Sequence, residues 1–204
     1  MTREITLVLF VIIAVYLLGS IPSAYIVGRL LKGIDMRHAG DGRIGAAATL
    51  RRVGRGGMII VGLMDVSKGV AAILLSQNLG LPLLATVLAG FTVVVGHNWS
   101  IFLHFMGGKG ALTTYGVLMS LIFWPFFIAL AIAGVSYFTT HKTGMSTGVL
   151  FGSLSFINWI TGSPPLISIL PILISIPMVL KHISMPKAAI EPVVVIEGLQ
   201  SNKA

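Results

Sequence analysis

Long apolar segments alternate with short polar segments along the whole chain. An α-helix needs about 20 apolar residues to cross a bilayer, and segments of that kind recur from one end of the sequence to the other. The predicted spans are residues 4–28, 57–77, 83–95, the two halves of 111–138, 147–160 and 166–180. The pattern predicts an all-α integral membrane protein with seven transmembrane helices, in which residues 1–204 form a single polytopic domain.

Two of these segments allow a second interpretation. The segment 111–138 is interrupted by Trp124 and Pro125, so it forms either one kinked helix or two short helices. We favour two, because only then do the basic loops gather on one side. The first segment, where Pro22 predicts a kink near the helix end, could also be a signal peptide. Its basic residues follow the apolar run, however, and more spans come after it.

The distribution of charge predicts the orientation. The segments 29–55, 96–110, 139–146 and 181–204 contain all five histidines and twelve of the fourteen Lys and Arg residues. The intervening turns carry no charge, and cytoplasmic loops are the ones that carry the Lys and Arg excess. We therefore expect the N-terminus outside, the C-terminus inside with 181–204 as a cytoplasmic tail, and a location in the plasma membrane.

Composition excludes several classes of protein. Only 10% of the residues are charged and 55% are hydrophobic, whereas soluble domains carry about 25% charge. The chain has no cysteine, which excludes disulfides, thiolate metal sites and cysteine nucleophiles. The net charge of +8 suits anionic lipid at a membrane surface. Aromatic residues are not interleaved with the basic ones, so no nucleic-acid partner is expected.

The two largest polar segments combine glycines with basic residues, a combination that suits phosphate. Gly107-Gly108-Lys109-Gly110 precedes an apolar run and would open a helix, whose N-terminus also favours an anion. Gly40 to Gly45 leads into a predicted short helix, 46–51, with Arg51 near its end. The alternative interpretations are a tight loop whose lysine touches lipid headgroups and an ordinary basic loop with glycine turns.

Polar residues inside or at the end of spans are further candidates. Asp65 and Lys68 are three residues apart and share one helix face; charges within spans are often functional, although this pair could simply neutralise itself. His97 and Asn98 form an unusual polar pair at the end of a span. His97 and His104 have no acidic neighbour at metal-ligand spacing, so a metal site is not expected.

Taken together, these segments resemble the bacterial acyl-phosphate:glycerol-3-phosphate acyltransferases, the PlsY family. The resemblance covers most of the chain, and the order, the spacing and the seven-span plan agree. It is carried by Gly19 to Pro22, Gly28-Arg29, Lys32 to Arg37, Gly42, Ile44 to Ala46, Leu50-Arg51, Asp65, Lys68, Gly69, Gly96 to Asn98, Phe102, Phe105, Gly107 to Gly110, Thr113 and Lys181-His182.

The resemblance implies an enzyme that moves a fatty acyl group from acyl phosphate to the 1-hydroxyl of glycerol 3-phosphate, giving lysophosphatidic acid for phospholipid synthesis. It implies a site facing the cytoplasm, contact with membrane lipids, and neither metal nor cofactor. It also implies no covalent intermediate, with substrate phosphate taking the hydroxyl proton. The expected catalytic residues are Arg51, His97 and Lys109. The expected substrate-binding residues are Gly40, Asp41, Gly42, Arg43, Gly45, Lys68, Asn98, Gly107, Gly108, Thr113, Thr143 and His182.

The sequence also departs from the family pattern. The first motif of the family reads approximately GSGNIGATNVLR, whereas this chain has GDGRIGAAATLR, with Asp41, Arg43, Ala47 and Ala48 at the changed positions. Further changes are Ser100 for proline and Met185 for asparagine. Asp41 would repel phosphate, and we expect Arg43 to compensate it.

These departures leave alternatives open. One is a related phosphorylated acceptor, and another is an altered or inactive relative that binds a phospholipid or acyl phosphate. A transporter is disfavoured, because the ionisable groups gather at one face of the predicted bundle.

Overall fold

The protein is described by a computed structural model that covers residues 2–39 and 44–184. Within these residues the chain forms nine α-helices and one short 3₁₀ turn, Ile101–Leu103, and this confirms the all-α prediction. The helices are α1 Thr2–Ser20, α2 Ser23–Lys32, α3 Ala46–Arg52, α4 Arg55–Asn78, α5 Leu83–Asn98, α6 Ala111–Leu121, α7 Phe123–Thr140, α8 Thr143–Ile160 and α9 Pro165–Ser184.

Five helical segments of the described residues are long and apolar enough to cross a membrane. Helix α6 is apolar but only 11 residues long, and α8 is not among the five. The count of seven spans therefore stays a prediction, as does the orientation of the two termini. The five segments are Thr2–Lys32, Arg55–Asn78, Leu83–Leu103, Phe123–Thr140 and Pro165–Ser184.

The predicted division of the segment 111–138 into two helices is confirmed. Helix α6 ends at Leu121 and α7 begins at Phe123, with Ile122 between them. The break comes slightly before Trp124 and Pro125 because Pro125 lies in the first turn of α7, where a missing backbone N–H breaks no helical bond.

Pro22 has a larger effect than the predicted kink. Helix α1 stops at Ser20 and α2 starts at Ser23, so the helix is interrupted rather than kinked. The interruption leaves the carbonyl oxygen of Ile21 available, and Lys68 of α4 donates a hydrogen bond to it. The break therefore provides a hydrogen-bond acceptor for Lys68 inside the bundle.

The last helix extends beyond the predicted end of the span at residue 180. Helix α9 continues through Lys181 and His182 to Ser184, and Lys181 is buried. Its ammonium group donates to the carbonyl oxygen of Phe105 at 3.2 Å, so the charge finds a partner without leaving the helix. Residues 185–204, including Met185, lie outside the described residues.

Glycines bring the central helices close together. Helix α4 packs on α6 at Gly69 and Gly116, where an added Cβ would overlap the carbonyl oxygens of Thr113 and Val66 respectively. Small residues at such crossings let helix backbones approach in a membrane. This contact fixes the start of α6 beside α4 and so places the loop that precedes α6.

The end of α5 is fixed by polar contacts with α1. The Tyr16 hydroxyl donates to the carbonyl oxygen of Trp99 at 2.9 Å, and the Ser100 hydroxyl donates to the carbonyl oxygen of Ser20. Ser100, which stands where the family pattern has proline, thus has a structural role.

Candidate active site

A cleft of about 310 Å³ opens where α3, α4, the end of α5 and the start of α6 meet. It brings together three predicted catalytic residues that are far apart in the sequence, Arg51, His97 and Lys109, together with Gly45. The lining residues are Ile44, Gly45, Ala46, Ala47, Ala48, Arg51, Asp65, His97, Lys109, Gly110, Ala111 and Leu112.

Both cationic and aliphatic side chains line the cleft. Arg51 comes from the last turn of α3, and Lys109 comes from the loop directly before α6. A guanidinium and an ammonium group facing one cleft, near the N-terminus of α6, favour a phosphate group. The aliphatic lining residues are Ile44, Ala46, Ala47, Ala48, Ala111 and Leu112.

A buried polar network lies at the base of the cleft and is centred on Asp65. The Asp65 carboxylate oxygen Oδ1 accepts hydrogen bonds from the Ser23 hydroxyl at 2.8 Å and from the Lys68 ammonium at 2.9 Å. The Nδ1 atom of His97 lies 3.5 Å from the same oxygen. The side chains of Asp65 and Lys68 are only 4% and 5% exposed, so the pair is almost fully buried, with Asp65 reaching the lining of the cleft.

The sequence indicated part of this network. The spacing of Asp65 and Lys68 predicted their contact, which the structure confirms. The approach of His97 and Ser23 to Asp65 was missed, because these residues lie on three different helices. The one available signal was the carboxylate itself, since an acidic residue within a span requires a partner.

Lys68 was predicted to bind substrate, but it is not one of the described residues that line the cleft. Its ammonium group is held between Asp65 and the carbonyl oxygen of Ile21. The geometry gives Lys68 the role of compensating the charge of Asp65.

The glycines before α6 allow the loop to lie against the end of α5. An added Cβ at Gly107 would overlap the carbonyl oxygen of His97, and an added Cβ at Gly108 would overlap the Nε2 atom of the His97 side chain. Gly110 has a φ of +79° and faces the side-chain oxygen of Asn98. The backbone N–H of Gly108 donates to the carbonyl oxygen of His97 at 3.2 Å. These contacts require glycine for packing, and they position Lys109.

Asn98 and Thr113 lie behind the cleft rather than in its lining. Both are fully buried, and the Asn98 amide donates to the carbonyl oxygen of Pro177 in α9 at 3.0 Å. Lys181 of α9 binds the same region, since its ammonium group contacts Phe105 and lies 5.6 Å from the centre of the Trp99 ring. Helix α9 thus contacts the end of α5 and the segment between α5 and α6.

Two further predicted site residues lie outside the lining of the cleft. Thr143 is exposed at the first residue of α8, and His182 is exposed in the last turn of α9. Gly40, Asp41, Gly42 and Arg43 lie outside the described residues, and so does the expected compensation between Asp41 and Arg43. Ile44, which follows them directly, lines the cleft.

Comparison of the sequence with known proteins gives a consistent result. A family model described as glycerol-3-phosphate acyltransferase matches residues 9–191. Glycerol-3-phosphate acyltransferase 2 of Moorella thermoacetica is 49% identical over 129 residues, which are 61% of this chain and 66% of that protein. The glycerol-3-phosphate acyltransferase of Parasynechococcus marenigrum is 46% identical over 120 residues, 59% of this chain and 55% of that protein. The matches thus span little more than half to about two thirds of these relatives.

Longer matches and solved structures agree. The glycerol-3-phosphate acyltransferase of Synechococcus sp. (strain JA-3-3Ab) is 41% identical over 152 residues, 73% of each chain. The crystal structure of PlsY (YgiH), an integral membrane glycerol 3-phosphate acyltransferase, in its glycerol 3-phosphate form is similar with a TM-score of 0.76 and 25% identity, covering 86% of this chain and 88% of that one. Its lysophosphatidic acid form gives a TM-score of 0.71 at 24% identity, covering 86% and 87%.

Proposed function

Since this chain belongs to the glycerol-3-phosphate acyltransferase family and is a multi-pass integral membrane protein, we propose that it transfers a fatty acyl group from acyl phosphate to the 1-hydroxyl of glycerol 3-phosphate. The products are lysophosphatidic acid and inorganic phosphate. The observation that carries the proposal is the convergence of Arg51, His97 and Lys109 on one cleft. In this proposal the cleft faces the cytoplasm.

The reaction places two phosphate groups in the cleft, one on each substrate. The acceptor oxygen bonds to the carbonyl carbon, the bond from that carbon to the phosphate oxygen breaks, and its electron pair leaves with phosphate. The O–H bond of the acceptor breaks as well, and its proton passes to the phosphate. Phosphate is a good leaving group, so the protein supplies mainly positioning and charge neutralisation. Arg51 can bind phosphate oxygens in a bidentate manner, and Lys109 acts as a compact charge beside the start of α6.

The aliphatic lining residues suit the donor. An acyl phosphate carries a hydrocarbon chain next to its charged end, and Ala46, Ala47 and Ala48 line the same cleft as Arg51 and Lys109. We expect the first carbons of the acyl chain to lie along these alanines. The described lining residues include no hydroxyl or amide side chain that could bind the hydroxyl groups of glycerol 3-phosphate. A related phosphorylated acceptor is therefore a second candidate substrate.

Replacement of Lys109 tests the proposal. Lys109→Ala removes one of the two cations, Arg51 and Lys109, found among the described lining residues, and loss of a hydrogen bond to a charged group costs about 1.5–3 kcal/mol. We expect kcat/KM for glycerol 3-phosphate to fall by at least tenfold, while the amount of folded protein in micelles stays the same. The measurement is the rate of lysophosphatidic acid formation from acyl phosphate and glycerol 3-phosphate.

A matched variant controls for the loss of a positive charge. Lys142 is exposed between α7 and α8 and does not line the cleft, so Lys142→Ala should retain the rate of the unaltered protein. Equal rates for Lys109→Ala and the unaltered protein would remove Lys109 from the site and leave it as a loop residue near the lipid headgroups.

A further inference from the structure

Lys181 is a buried cation near the end of α9. Among the described residues, no carboxylate forms an ion pair with it. Its ammonium group donates to the carbonyl oxygen of Phe105 at 3.2 Å and lies 5.6 Å from the centre of the Trp99 ring. A charge is costly to bury inside a membrane bundle and is therefore often functional. The contacts of Lys181 direct the search for its function to the segment between α5 and α6.

The partner of Lys181 lies in the turn formed by residues 100–106, which has an unfavourable backbone conformation. His104 and Phe105 are consecutive non-glycine residues with positive φ angles, 52° and 63°. Residues with a side chain rarely adopt this conformation, and it persists only where other contacts hold it. The backbone N–H of Phe105 donates to the carbonyl oxygen of Ser100 at 2.8 Å, and Lys181 adds a bond from outside the turn.

This turn leads directly to the lysine of the cleft. Only Gly107 and Gly108 separate it from Lys109, and glycine permits many backbone conformations. Since these glycines do not fix the direction of the chain by themselves, the position of the Lys109 ammonium group depends on how firmly the turn is held. The bond from Lys181 ties the turn to α9, a helix of 20 residues.

We propose that Lys181 is a positioning residue for acyl transfer, whose bond to Phe105 holds the turn 100–106 and thereby places the Lys109 ammonium group in the cleft. This inference rests on the proposed function, in which Lys109 neutralises substrate phosphate. Lys181 is not one of the described residues that line the cleft, so it acts on the rate through Lys109.

A double-mutant cycle tests whether Lys181 acts through Lys109. Lys181→Met keeps an unbranched side chain and removes the donor, whereas Lys181→Arg keeps a cationic donor. We expect kcat/KM for glycerol 3-phosphate, per amount of folded protein, to fall about ten- to a hundredfold in Lys181→Met, as for misplaced binding groups. Lys181→Arg should restore most of the rate. In a Lys109→Ala background, Lys181→Met should have almost no further effect, because coupled residues are not additive.

Hydrogen exchange measures the turn itself, independently of activity. The backbone N–H groups of Leu103, Phe105 and Met106 donate within the turn, so they exchange with deuterium faster when the turn opens. In micelles we expect faster exchange of a peptide covering residues 100–108 in Lys181→Met, and the exchange of the unaltered protein in Lys181→Arg.

Ser184→Ala is the matched control on the same helix. Ser184 is exposed, and its hydroxyl donates to the carbonyl oxygen of Leu180 at 2.8 Å. Loss of this bond one turn from Lys181 should change neither the exchange nor the rate. Lys181→Gln, which is uncharged and shorter, takes the place of Lys181→Met in both measurements if the methionine variant yields too little folded protein.

The two measurements separate the possible failures. An unchanged kcat/KM in Lys181→Met, or losses from Lys181→Met and Lys109→Ala that simply multiply, overturns the proposal. Exchange of residues 100–108 that does not change without Lys181 also overturns it. If the unaltered protein transfers no acyl group at all, the proposed function fails, and the exchange alone then decides whether Lys181 holds the turn.

Discussion

Asp35 organises the segment that follows α2 through its contact with Arg37. The Arg37 side chain donates to both carboxylate oxygens, at 3.0 and 2.6 Å, and its backbone N–H donates to one of them at 3.0 Å. The Arg37 guanidinium also lies 5.2 Å from the centre of the Tyr25 ring. The hydrogen bond from the Arg37 side chain is the main cause that lowers the pKa of Asp35 to about 2.

This ion pair predicts a pH-dependent stability. Because the pKa of Asp35 is about 2 in the folded protein and about 3.8 otherwise, its contribution is complete above about pH 4 and is lost between about pH 4 and 2. Asp35→Asn should lower the unfolding free energy at pH 7 by roughly 1–2 kcal/mol. Unfolding in micelles at pH 7, 4 and 2 measures this, and a difference that stays constant down to pH 2 would contradict it.

Individual site residues were predictable where the local sequence has a chemical signature. Glycines around a lysine and a short basic helix indicated Lys109 and Arg51, and both line the cleft. The contact of His97 with Asp65 was not predictable, because it depends on how α5 packs against α4. That Ala46, Ala47 and Ala48 line the cleft was not predictable either. In the sequence, Ala47 and Ala48 stood out only as positions where the family pattern has polar residues.

Helices α4 and α6 depend on close approach, and two glycines of α4 test this. A Cβ at Gly69 would overlap the Thr113 carbonyl oxygen, whereas one at Gly62 would meet only Leu112 at 3.5 Å, an ordinary contact. Gly69→Ala should cost about 1–3 kcal/mol, as overpacking does, and should lower the unfolding temperature. Gly62→Ala on the same helix should leave that temperature unchanged or slightly raised. Equal unfolding temperatures for the two variants would show that α6 does not pack closely at Gly69.

The boundaries of helices were predictable where proline or glycine interrupts an apolar run, as between α6 and α7. They were not predictable where a charged residue continues a helix. The predicted span ended at residue 180, directly before Lys181, whereas α9 continues to Ser184 and Lys181 donates a hydrogen bond to the carbonyl oxygen of Phe105. Only the position of the loop before α6 supplies that partner.

For the whole molecule, the asymmetry of basic residues predicts the N-terminus outside and the loop between α7 and α8 inside. The chain has no cysteine, so single cysteines can be introduced at the exposed residues Thr2, Lys142 and Thr161. An impermeant maleimide should label the cysteines at positions 2 and 161 in intact cells, and the one at 142 only after permeabilisation. Labelling of position 142 in intact cells would show that the orientation is the reverse of the predicted one.

Hydropathy was sufficient to predict the helical membrane fold, because long apolar segments have few other solutions. The number of spans was less certain from sequence, since α6 is too short to cross a bilayer by itself and α8 is less apolar than its neighbours. The placement of both depends on packing against longer helices.

The central claim is that the cleft between α3, α4, α5 and α6 transfers an acyl group from acyl phosphate to glycerol 3-phosphate. The most direct measurement gives purified protein in micelles both substrates, with a chelator present and no nucleotide, and quantifies both products. The account predicts lysophosphatidic acid and inorganic phosphate in equal molar amounts. Absence of lysophosphatidic acid, or its formation only from acyl-CoA, would contradict it.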